Sequence, residues 1–135
     1  MLCGAFIVSD YSVLVVDDDA DIRASICEIL CELGYQCSQA PEGNLALCQL
    51  DRQPVDLVII DILMPERDGV ETIQAIKADW PRTRIIAMSG GGSGMVADYL
   101  LRVGSGVGAQ AAIQKPFKIA ALTELVMKVL AEKTS

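Results

Sequence analysis

Positive charge is scarce in this chain: eleven lysines and arginines face eighteen aspartates and glutamates, 11 − 18 = −7 at neutral pH, with an isoelectric point near 4.4. A mean field of that sign repels nucleic acid and anionic membrane, which argues against direct DNA binding. Long apolar runs are missing as well. The stretch from Leu2 to Val8 spans only seven residues, is broken by Gly4 and has no basic flank. It is therefore neither a signal peptide nor a membrane span, and membrane insertion is not expected. Paired CxxC spacing is absent: Cys3, Cys27, Cys31, Cys37 and Cys48 are odd in number and not spaced for zinc. Cys27 and Cys31, four apart, could share a helix face, but they read as small buried thiols in a reducing, cytoplasmic setting. Nucleotide-loop signatures are also missing. There is no GxxxxGK[ST], and no GxGxxG follows the first strand, so Gly90 to Gly94 reads as a flexible loop.

What is present describes one folded body. The 135 residues are 52% hydrophobic and 21% charged, with a mean hydropathy of +0.39, enough for one core and too few for two. Val13 to Val16 is a continuous β-branched run of the kind that forms a strand buried on both faces, and it stops at the acids Asp17 to Asp19. From Asp21, the apolar residues Ile22, Ile26, Ile29, Leu30 and Leu33 recur at helical spacing, and Gly34 ends the helix. The unit then repeats. Tyr35 to Gln39, Asp56 to Ile60, Arg84 to Met88 and Ala111 to Gln114 are strand candidates. Helical patterns over Glu42 to Leu50, Val70 to Ile76, Met95 to Val103 and Leu122 to Leu130 separate or follow them. Five βα units with right-handed crossovers predict an α/β, flavodoxin-like parallel sheet in the order 2-1-3-4-5, with helices on both faces.

In such a sheet the residues that follow the strands share one edge. Asp17 and Asp18 follow the first, Asp61 the third, Ser89 the fourth and Lys115 the fifth. Crowded carboxylates repel one another unless a cation joins them, and an oxygen-lined pocket with room for water suits Mg²⁺. A carboxylate oxygen can attack phosphorus to form an acyl phosphate when charge on the transferring oxygens is neutralised. Mg²⁺ and the Lys115 ammonium would supply that charge. The Ser89 hydroxyl would hydrogen-bond a phosphoryl oxygen and pass the event to its loop.

These residues resemble the receiver domain of two-component response regulators, over nearly the whole chain from Val13. The likeness rests on Val15-Val16-Asp17-Asp18-Asp19, on Asp56-Leu57-Val58-Ile59-Ile60-Asp61-Ile62-Leu63-Met64-Pro65, and on Asp68-Gly69, Ser89-Gly90 and Lys115-Pro116-Phe117 in that order. The resemblance implies that Asp61 is the phosphoacceptor and that Asp17 and Asp18 bind Mg²⁺ with it. It further implies that the backbone carbonyl of Leu63 completes the metal site and that the Lys115-Pro116 bond is cis. Residues 1–11 would be a leader and 12–135 the receiver, of the stand-alone chemotaxis type, with no output domain after the last helix. The donor would be a sensor histidine kinase or a phosphotransfer protein, and the output a contact with a downstream protein target. The resemblance implies a signalling protein that catalyses only its own phosphorylation and dephosphorylation. Two features depart from the pattern. Ala112 stands three positions before the lysine, where the family usually has an aromatic residue. The 26-residue interval from Ser89 to Lys115 (115 − 89 = 26) is also longer than usual and rich in glycine.

Other chemistries fit less of the chain. Asp17, Asp19, Asp21 and Glu28 occupy positions 1, 3, 5 and 12 of a calcium loop, but Ile22 stands where that loop needs glycine. Asp17 and Asp19 have the DxD spacing of phosphatases that use an aspartyl phosphate, yet that reading leaves the Asp61 to Pro65 segment unexplained. A binding module of the same fold that no longer uses phosphorylation remains as the alternative, motivated by Ala112 and the long fourth unit.

Overall fold

A strand in which every residue is apolar needs cover on both pleat faces, and the computed structural model supplies it. The structure describes residues 11–62, 69–89 and 108–132. Five strands, β1 (Ser12–Val16), β2 (Gln36–Ala40), β3 (Leu57–Asp61), β4 (Arg84–Ser89) and β5 (Ala111–Gln114), pair in parallel in the order β2-β1-β3-β4-β5. The helices among the described residues are α1 (Ala20–Glu32), α2 (Gly43–Arg52), α3 (Gly69–Asp79) and α4 (Ile119–Ala131).

Alternation along the strands divides the core in two. Val13, Val15, Leu57, Ile59, Ile86 and Met88 point to one face, where Ile26 and Leu30 of α1 and Leu122 and Val126 of α4 cover them. Leu14, Val16, Val58, Ile60, Ile85 and Ala87 point to the other, under Ala46 and Leu50 of α2 and Ile73 and Ile76 of α3. Each fully buried branched side chain contributes about 1.5–3 kcal/mol, so the three central strands dominate stability. The edge strand β2 is largely polar and exposed, which discourages pairing with another sheet.

Local signals set the helix ends. The Asp19 carboxylate accepts the backbone N–H groups of Asp21 and Ile22 and caps α1. Gly34 takes φ 103° beyond its last turn, where its N–H donates to the Cys31 carbonyl at 3.0 Å. Gly69 opens α3 against the backbone at the end of β3: a Cβ there would stand 2.5 Å from the Asp61 carbonyl oxygen and inside contact distance of Ile62 Cα. Only glycine allows that approach.

Three outcomes differ from the sequence reading or lie beyond it. Asp61 and Ser89 are the last residues within β3 and β4 rather than the first beyond them. The cysteine reading needs correction, because Cys27 and Cys37 are disulfide-bonded rather than free thiols, with Cα atoms 5.5 Å apart. Cys27 faces the sheet from α1 and Cys37 packs against the same core cluster from β2, so the pair is formed by a helix and the next strand. Spacing within one helix, which singles out Cys27 and Cys31, cannot reveal it. Residues 1–10 of the expected leader (1–11), the Leu63 carbonyl, the Gly90–Gly94 loop and the helix expected over Met95 to Val103 lie outside the described residues. Among the described residues, no helix is long and apolar enough to cross a membrane.

Candidate functional site

Parallel pairing brings the carboxyl ends of β1, β3, β4 and β5 to one edge. Asp17, directly after β1, is fully buried, Asp61 is 5% exposed and Ser89 is fully buried, whereas Asp18 is exposed. Lys115 follows β5, and its backbone N–H donates to the Ser89 carbonyl at 2.8 Å. The Lys115-Pro116 bond is cis.

The lysine side chain reaches back past the end of β4. Its Nζ lies 2.5 Å from Asp17 Oδ2 and 3.1 Å from Asp61 Oδ2. Partial burial by itself draws the Lys115 ammonium down. Hydrogen bonds and charge from Asp17 and Asp61 outweigh that, and its pKa stands above the ordinary lysine value. A buried carboxylate without a partner costs several kcal/mol, and this ammonium gives the buried Asp17 one. The other oxygen of Asp17, Oδ1, accepts the backbone N–H of Asp19 at 2.9 Å.

Like charges crowd at this edge. Carboxylate oxygens of Asp17, Asp18 and Asp61 lie within 4.8 Å of one another, and the Lys115 ammonium bridges Asp17 and Asp61. Three hard carboxylate oxygen donors suit a small divalent cation better than a soft or nitrogen-seeking metal. One further group is incomplete. Among the described residues, Ser89 Oγ is the buried side-chain polar atom that lacks a hydrogen-bond partner. Such a group costs about 1–3 kcal/mol and signals a ligand or a functional role.

The structure thus brings together Asp17, Asp18, Asp61, Ser89 and Lys115, all of which sequence reasoning singled out; Leu63 lies outside the described residues. Ala112 lies on β5 opposite Ala87 and packs, half-buried, against the core on the α2–α3 face. Two residues were given no individual role at the site by the sequence. Gly69 keeps α3 close under Asp61, and Arg23 donates from Nη1 to the Asp17 carbonyl at 2.7 Å. Neither belongs to an apolar period. The Asp68-Gly69 pair could have signalled the first, and nothing in the sequence pattern signals the second.

Beside this edge runs a groove of about 440 Å³ between α1 and the segment after β5. Ile22, Ile26, Pro116, Phe117 and Ile119 give it an apolar lining, and Lys115 borders it.

Comparison with known proteins agrees with this architecture. The model of the response regulator receiver domain matches residues 13–127. Sporulation initiation phosphotransferase F of Bacillus subtilis is 32% identical over 123 residues, covering 91% of this chain and 96% of that protein. The Bacillus subtilis chemotaxis protein CheY is 34% identical, covering 89% and 98%. Among solved structures, the receiver domain of NtrX from Brucella abortus superposes with a TM-score of 0.79 at 30% identity, covering 90% of this chain and 99% of that one. The Vibrio cholerae chemotaxis protein CheY4 also gives 0.79, at 28% identity, covering 90% and 99%.

Proposed function

The chain belongs to the response regulator receiver domain family, and from that membership and its acidic pocket we propose that it takes a phosphoryl group onto Asp61 with Mg²⁺ bound beside it. The observation that carries the reading is the convergence of Asp17, Asp18 and Asp61 oxygens within 4.8 Å, with Lys115 bridging Asp17 and Asp61, at the edge where β4 ends in a buried Ser89 hydroxyl that lacks a hydrogen-bond partner among the described residues.

Asp61 is the nucleophile. One of its carboxylate oxygens forms the new O–P bond as the N–P bond of a phosphohistidine donor breaks, and the electron pair leaves with the imidazole. Lys115 is tethered between Asp17 and Asp61, so its positive charge is already fixed where negative charge accumulates on the phosphoryl oxygens. Ser89 Oγ donates to a phosphoryl oxygen once one is present, which satisfies a group that is otherwise buried and alone. Asp17, Asp18 and Asp61 would hold Mg²⁺, with the Leu63 carbonyl as a further ligand. The cation would neutralise the excess carboxylate charge and the charge of the transferring group. The apolar groove beside Lys115 suits the surface of a sensor histidine kinase or phosphotransfer protein that presents its histidine at this edge. Output then passes by altered contact with a downstream protein. In this reading the chain catalyses phosphorylation of its own Asp61 and hydrolysis of the resulting acyl phosphate.

The test is incorporation of labelled phosphate from a small phosphoramidate, with and without Mg²⁺. The expected result is one acid-stable, base-labile label per chain that needs the metal and is lost in Asp61→Asn. Undiminished labelling of that variant would overturn the assignment. Ala112 favours one competing reading, a receiver-fold binding module that signals without phosphorylation. Failure of the wild-type chain to bind Mg²⁺ at millimolar concentration would favour that module.

A further inference from the structure

Asp17 is fixed at four atoms. Its backbone N–H donates to the Ala40 carbonyl at 3.3 Å, Oδ1 accepts from Asp19, Oδ2 pairs with Lys115, and its carbonyl accepts Arg23 Nη1 at 2.7 Å. The next residue has no such support. Asp18 is exposed, and among the described residues no hydrogen bond or ion pair holds its carboxylate. What orients Asp18 is therefore the peptide that joins it to Asp17, and the oxygen of that peptide is the atom Arg23 grips.

Arg23 is itself braced. It sits in the first turns of α1, where its own N–H donates to the Asp19 carbonyl at 3.1 Å, and its Nε donates to Gln39 Oε1 at 3.2 Å. The Gln39 carbonyl in turn accepts Gln49 Nε2, from α2, at 2.8 Å. A planar guanidinium that uses two of its fixed donors at once cannot swing without breaking one of them, so it acts as a rigid strut.

We infer that Arg23 is a positioning residue for the cation site: by holding the Asp17–Asp18 peptide it sets the Asp18 carboxylate toward those of Asp17 and Asp61. This rests on the reading that these acids bind Mg²⁺. Groups that orient metal ligands without touching the metal change affinity by about 10- to 100-fold when removed. The sign of the effect separates positioning from electrostatics. Arg23 is a cation beside a cation site, so loss of its charge alone would tighten Mg²⁺ binding, whereas loss of the strut would weaken it.

The experiment is a Mg²⁺ titration of the unphosphorylated chain, by calorimetry and by amide chemical shifts, for wild type, Arg23→Met, Arg23→Lys and Gln39→Ala. Arg23→Met is expected to weaken binding about tenfold. Arg23→Lys, which keeps the charge and one donor, should recover most of the affinity. Gln39→Ala should lie between wild type and Arg23→Met, and it leaves α1 unaltered should Arg23→Met fold poorly. Affinity of Arg23→Met and Gln39→Ala unchanged within twofold, or tighter than wild type, would overturn the inference while leaving the acid site standing. A wild-type chain that binds no Mg²⁺ would overturn both.

Discussion

Asp56 and Asp61 bracket the same strand and have the same side chain, yet the fold treats them oppositely. The Asp56 carboxylate, at the amino end of β3, accepts the Ser12 N–H at 2.9 Å and the Ser12 hydroxyl at 3.3 Å. Its backbone N–H donates to the Ser12 carbonyl and its own carbonyl accepts from Arg84, so it joins β3 to both neighbours. Asp61, at the carboxyl end, stands among other acids and shares Lys115 with Asp17, at the edge where the buried Ser89 hydroxyl lacks a hydrogen-bond partner among the described residues. One carboxylate ties neighbouring strands together, and the other gathers with like charges at the opposite edge of the sheet. A strand that is apolar on both faces gains little from one register over the next, because a slip by one residue exchanges apolar for apolar. The polar ends are what can fix it, and the Ser12–Asp56 hydrogen bonds do so at the end where no chemistry is asked of the residues.

Three substitutions would break or sharpen that contrast. Gly69→Ala should have the largest effect. Its methyl group meets backbone atoms of Asp61 and Ile62 that cannot step aside, so a loss of about 3 kcal/mol is expected in denaturant unfolding. Amide shifts should move at Asp61 and Ile62 but not at Ser12, since the disturbance is confined to the carboxyl end. Asp56→Ala should cost about 2 kcal/mol, as the Ser12 N–H loses its acceptor, with phosphoryl labelling of the folded protein unchanged. Loss of labelling in a well-folded Asp56→Ala chain would show that the two ends are not separable. Asp61→Asn should have the smallest effect on stability. Without divalent cation it is expected to be neutral or stabilising by about 1 kcal/mol, because one of three crowded like charges disappears. Added Mg²⁺ should reverse the order by stabilising the wild type through binding. A marked fall in the melting temperature of metal-free Asp61→Asn would mean that Asp61 is as structural as Asp56.

The sequence announces the fold where burial is two-sided. Val13 to Val16 and Leu57 to Ile60 are unbroken apolar runs because helices cover both faces, and such runs are conspicuous. The five residues at the sheet edge were legible for a related reason: each is a polar residue at an abrupt end of an apolar strand. What escaped notice depends on partners distant in sequence. Asp56 reads as the first residue of an apolar strand, and its pairing with Ser12 crosses 44 positions. Arg23 is a charged residue on a helix whose target is a backbone oxygen, and backbone oxygens carry no sequence signature. The Cys27–Cys37 bond joins two elements whose adjacency follows from the hairpin-like return at Gly34, not from cysteine spacing.

Lys115 has one more consequence, which concerns time. Its ammonium joins Asp17, 98 positions earlier, to Asp61, 54 positions earlier, so the site is made of contacts among the most distant in the chain. Contacts of that separation form only after the intervening segments have found their places. During synthesis the acids emerge first and stay without their counter-charge until the last strand has left the ribosome and docked beside β4. Competence to accept a signal is thereby tied to completion of the sheet, and a chain halted before its last strand would carry all three acids yet lack the lysine that joins them.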